Sequence, residues 1–142
     1  MNMLHKKSCH AQQNRLLEKA GFRQTRQRKT LASILFDGTH KHMTAEQVHA
    51  AARKKRAALS LATVYNTLHQ FTEAGLLRQI VLDCSSVYFD TNVESHHHFF
   101  NQKDGKLVDI PSSAVDIARL PKPPAGTKLD GVDVILRVSP KH

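Results

Sequence analysis

The sequence predicts an α+β chain in two parts, a winged helix-turn-helix over residues 1–90 followed by a small α/β domain over residues 91–142. Three observations carry this. The first half shows capped segments with apolar residues at helical spacing, ending in a hairpin pattern. The second half opens on His96-His97-His98 and closes on a strand-like alternation. Charge divides at the same place: residues 1–80 hold 14 Lys and Arg against 4 Asp and Glu, and residues 81–142 hold 7 against 8.

A first helix is expected over residues 11–20, with Leu16 and Leu17 inward and Gly21 closing it. Thr25 is placed to cap a second helix running to Phe36, whose Leu31, Ile34 and Leu35 form a buried stripe; Asp37-Gly38 ends it. Thr44 and Gln47 have capping-box spacing, and Val48, Ala51 and Ala52 supply the inner face of a third helix that ends in the run Arg53-Lys54-Lys55-Arg56. A fourth helix starts at the cap residue Ser60, repeats Leu61, Val64, Leu68 and Phe71 on one face, and stops at Gly75. Leu76 to Leu82 and Val87 to Phe89, joined by a turn over residues 83–86, read as a hairpin, which completes the element order of a winged helix.

In the neutral half, Phe99–Gln102 and Lys106–Ile110 flank the turn pair Asp104-Gly105. A short helix is expected from Ser113, with Asp116 at its third position. After the proline-rich run 121–124, Val132, Val134, Leu136 and Val138 alternate as a last strand. So short a unit buries too little surface to be stable alone, so pairing with a second copy through residues 92–142 is expected.

Composition narrows the function classes. With 40% hydrophobic and 23% charged residues the chain is globular, and no apolar run approaches the roughly 18 residues of a membrane span. The N-terminus lacks the apolar segment of a signal peptide, so no membrane partner and a cytoplasmic location are expected. Two cysteines, Cys9 and Cys84, cannot make a four-cysteine structural zinc site. The basic half is suited to a polyanion. Ser60, Thr63 and Asn66 fit the outer face of a helix that reaches base edges, and Tyr65 offers its ring to a thymine methyl and its hydroxyl to phosphate. An ordinary amphipathic helix with a buried tyrosine is the alternative at this level.

Gly21-Phe22-Arg23-Gln24-Thr25-Arg26-Gln27-Arg28, Thr44-Ala45-Glu46, Leu61-Ala62-Thr63-Val64-Tyr65-Asn66-Thr67-Leu68, Gly75-Leu76 and His96-His97-His98 resemble, in this order, the successive motifs of the ferric uptake regulator family. The resemblance covers roughly residues 14–138 and is greatest to the iron response regulator branch. It implies a dimeric repressor of iron and haem homeostasis genes that binds an AT-rich inverted repeat in double-stranded DNA. Tyr65 and Ser60 would then contact bases or phosphates, Arg23 would reach the minor groove and Arg28 would help hold the backbone.

The resemblance also implies a sensor site between the two domains, carried over onto His42, Asp90 and His98; the family's next histidine is Phe100 here. A second family site leaves His97 and Asp116, with Phe99 at its middle position and a final histidine lost near Val132. The effector is therefore open between haem and a divalent ion of Fe, Mn or Zn. Strand alternation sends His96 and His98 one way and His97 the other. Phe99 and Phe100 beside exposed imidazoles would suit a haem face, making His96, His97 and His98 the haem-binding candidates. Cys9 is followed by His10 rather than proline, unlike a Cys-Pro haem motif. A histidine patch with only adventitious metal affinity is the alternative.

Outside this reading, a zinc hydrolase built on His42, Asp90, His97 and His98 lacks a placed general base and leaves the basic half unexplained, so no enzyme is expected. An architectural DNA-binding protein with inert histidines remains a further alternative.

Overall fold

The computed structural model describes residues 3–83 and 86–142. The chain divides into two units, Met1–Val93 and Glu94–His142, three residues beyond the boundary read from the sequence.

The first unit runs α1 (Met3–Lys19), α2 (Arg26–Leu35), β1 (His42–Met43), α3 (Ala45–Lys54), α4 (Leu61–Glu73), β2 (Arg78–Asp83) and β3 (Ser86–Asp90). Each of the three caps expected from the sequence is made. The hydroxyls of Thr25, Thr44 and Ser60 accept from the backbone N–H of Arg28, Gln47 and Thr63, and Thr44 and Gln47 form the full reciprocal box. Leu17, Leu31, Leu35, Val48, Val64, Leu68, Phe71 and Phe89 form one buried core. Phe22 meets Phe71 edge-on at 5.4 Å, and Phe36 lies 6.0 Å from it.

Two features depart from expectation. α1 begins eight residues before the expected start, because its first part is polar and carries no apolar stripe from which a period could be read. β1 was not foreseen: a two-residue strand has no pattern of its own and exists through pairing with β3, His42 opposite Asp90 and Met43 opposite Phe89. β2 and β3 make the antiparallel hairpin, giving the strand order β1-β3-β2. The turn expected over residues 83–86 and the cysteine at its centre, Cys84, fall partly outside the described residues.

The second unit contains β4 (His96–Asn101), β5 (Leu107–Pro111), a 3-10 turn over Ser112–Ala114, and β6 (Ile135–Val138). β4 is central, antiparallel to β5 and parallel to β6. The helix expected from Ser113 is not formed. Pro111 stands at its cap position with no side-chain hydrogen bond, and Val115 is already extended. The last strand is shorter than the alternation implied, since β4 offers register partners only to Ile135 through Val138, leaving Val132 and Val134 before it. Among the described residues of this unit, Ile110 is the one large apolar side chain that is buried.

Candidate metal centre and nucleic-acid interface

Strand pairing in the second unit creates a face of nitrogen and oxygen donors. His98 lies directly opposite Asp109 across β4 and β5, and His96 is two residues back on the same face. Their Nε2 atoms stand 3.3 Å and 3.5 Å from Asp109 Oδ1, with the two rings 4.5 Å apart. Backbone partners fix the tautomers. A carbonyl can only accept, so His96 Nδ1 donates to Glu94 O and in the neutral ring the lone pair lies on Nε2. His97 is the reverse: the backbone N–H of Val134 donates to its Nδ1 at 3.1 Å, so in the neutral ring the proton sits on Nε2. His97 ties β4 to the approach of β6 and has no lone pair left for an ion.

The three imidazoles are 5%, 4% and 2% exposed, against the exposed rings expected. Asp116 stands exposed beyond the 3-10 turn and is not among the donors brought together. Asp109 was missed by sequence reasoning. Equal steps back from Asp104-Gly105 would have paired it with Phe100; the actual register, with Phe100 opposite Leu107, sets it opposite His98.

In the first unit, the pairing of β1 with β3 sets His42 Nε2 3.3 Å from Asp90 Oδ2. Asp90 is fully buried and also accepts from the Asn92 N–H at 2.9 Å. This pair too is a possible donor set.

The helix expected to read DNA, α4, buries Val64, Leu68 and Phe71 in the core, whereas Leu61, expected on the same face, is exposed in the first turn with Ser60, Ala62 and Asn66. Ser60 Oγ donates to Thr63 Oγ1 at 2.9 Å, so these two hydroxyls organise the first turn as well as facing outward. The Tyr65 hydroxyl donates to Glu46 Oε1 at 2.8 Å, linking α4 to the start of α3. That bond, with smaller contributions from burial and the carboxylate charge, raises the pKa of Tyr65. His69 stacks near the other side of the ring, 6.3 Å between centroids. Arg23 is exposed. Arg28 is held by its own fold, donating to Arg23 O at 3.0 Å and lying over the Phe22 ring at 5.1 Å. It therefore fixes the loop that carries Arg23.

The chain is thus a two-unit architecture, a basic winged helix followed by a sheet that carries nitrogen and oxygen donors on one face. The ferric uptake regulator family model matches residues 19–131, and the chain belongs to that family. It is 37% identical over 94 residues to the peroxide-responsive repressor PerR of Staphylococcus epidermidis, a match spanning 66% of this chain and 62% of that protein's length. The fold superposes on the ferric uptake regulator of Pseudomonas aeruginosa, solved with manganese, with a TM-score of 0.69 and 26% identity over 92% of this chain and 98% of the other. A zinc-bound manganese uptake regulator matches with a TM-score of 0.68 and 28% identity over 91% and 98%. No helix among the described residues is long and apolar enough to cross a membrane.

Proposed function

We propose that this chain is a DNA-binding transcriptional repressor whose affinity for DNA is set by a divalent metal ion. The observation that carries the reading is the convergence of His96 Nε2, His98 Nε2 and Asp109 on one face of the second unit, in a chain whose other unit is a basic winged helix. Such a donor set suits Zn, Mn or Fe(II), and the carbonyl behind His96 orients the ring as ligating histidines require. His42 and Asp90 supply a further imidazole–carboxylate pair. Relatives named for manganese and for ferric uptake support an ion of this class.

Haem, the other effector open from the sequence and from the likeness to the iron response regulator branch, fits less well. It needs an accessible axial nitrogen beside a large apolar face, and the histidine rings here are almost wholly covered.

DNA would be read by α4 through Ser60, Thr63, Tyr65 and Asn66, with Arg23 in an adjacent groove and Arg28 holding that loop. An AT-rich inverted repeat is the expected operator, because the second unit favours a two-fold dimer. Its sheet has an apolar face opposite the donors. Val108, Phe99 and Leu136 stand in register side by side across β5, β4 and β6, all exposed. That row is the proposed dimer contact.

Titration of the metal-free protein with Mn, Zn and Fe(II), followed by dialysis, metal analysis and DNA binding by fluorescence anisotropy, tests the reading. Asp109→Asn with His98→Ala should lose metal and the metal-dependent change in DNA affinity, while binding DNA as the metal-free parent does. Metal uptake with no change in DNA affinity would identify an architectural protein. Haem titration in parallel should give no axial-ligand spectrum.

A further inference from the structure

Helices α1, α3 and α4 end in the same backbone motif, but one of them ends on the wrong residue. After α1 the N–H groups of Gly21 and Phe22 bond to Glu18 O and Leu17 O. After α4 those of Gly75 and Leu76 bond to Thr72 O and Phe71 O. The left-handed position in each is glycine, with φ of 82° and 80°. After α3 the N–H groups of Arg56 and Ala57 bond to Arg53 O and Ala52 O in the same pattern, and the left-handed position is Arg56, φ 56°. It is the one described residue other than glycine with a positive φ. A side chain strained in this way, where glycine would serve, points to a use for the side chain.

Arg56 lines a concave groove of about 900 Å3 between α2 and the turn from α3 to α4, with Arg26, Ser33, Lys55 and His10. Lys29 borders it from the adjoining hollow on α2. No Asp or Glu is among the described residues that line it. Lys55 is held in place, its Nζ donating to Ser33 Oγ at 3.0 Å. The groove ends at Leu59, one residue before the cap of α4, so a duplex read by α4 would carry its backbone past this opening.

We propose that this groove is a second DNA contact, taking backbone phosphates that flank the site read by α4, with Arg56, Arg26 and Lys29 as its cations. The proposal rests on the first unit being the DNA-binding unit. Duplex DNA is the fitting partner because several cations spread along an open groove match a row of phosphates better than one compact anion.

The test is binding of a short, labelled, mixed-sequence duplex by the full chain, followed by anisotropy between about 50 and 200 mM salt. Arg56→Gly should flatten the slope of log affinity against log salt by about 0.9, and Arg26→Ala with Lys29→Ala by about twice that. Arg56→Gly should also raise the thermal midpoint, since glycine relieves the strain, so its loss of binding is not a loss of folding. Unchanged slopes in both variants, with the parent's own slope steep, would overturn the groove and leave the DNA-binding reading standing. A parent protein that binds the duplex with no salt dependence would overturn both.

Discussion

Tyr65 shows how one hydrogen bond redistributes a role. Read alone, it offers a ring and a hydroxyl; in the fold the hydroxyl proton is engaged by Glu46, which leaves the ring as the part available to a base. Tyr65→Phe should therefore keep operator affinity within about threefold, whereas Tyr65→Ala should lose about 1–3 kcal/mol, the range of a base contact. Equal losses in the two variants would show that the hydroxyl meets DNA after all. Asp37 offers a second test at this scale. Burial raises its pKa, but this is outweighed by hydrogen bonds from the Lys41 and Thr39 side chains and the Thr39 N–H, and the net pKa is about 2, below the ordinary 3.8. A carboxyl whose folded pKa is depressed stabilises the fold above the unfolded pKa and loses that contribution as pH falls through the folded one. The contribution should be complete above about pH 5 and vanish toward pH 2, modestly in size because the group is partly exposed. Urea midpoints of Asp37→Asn should fall less steeply than those of the parent across this window.

At the scale of elements, α4 is positioned by what lies behind it. Phe71 is fully buried against Phe22 and Phe36, so it joins α4 to the segments flanking α2. Phe71→Ala should destabilise the first unit by about 3–5 kcal/mol, measured by chemical denaturation. Loss of the α3 box in Thr44→Ala should cost about 1 kcal/mol. Against these, Arg56 in the left-handed region costs about 1–2 kcal/mol that glycine would not. The caps and the core stripe were legible because each is a local relation between residues a few positions apart. β1 and Asp109 were not, because each acquires its place from a partner on another strand: Phe89 and Asp90 for β1, and His98 for Asp109.

At the scale of the molecule, the second unit is a three-stranded sheet with donors on one face and apolar side chains on the other, and little core between. Phe99→Asp places a charge in the centre of the Val108, Phe99 and Leu136 row. It should shift the sedimentation profile from dimer toward monomer, and with it weaken binding to an inverted repeat far more than to a single half-site. A variant that remains dimeric would place the contact elsewhere.

The sequence by itself determined the helix caps, the apolar stripes, the division of charge, the hairpins and the family, since these depend on residue type at short spacing. Only the tertiary structure decided which histidine does what. His96, His97 and His98 are chemically identical in sequence, yet a carbonyl behind His96 puts a proton on its Nδ1, whereas an N–H aimed at His97 Nδ1 puts the proton of the neutral ring on Nε2. The physical reason is that an imidazole has two nitrogens and one proton when neutral. The partner that fixes the proton on His97 comes from a strand approach 37 residues away.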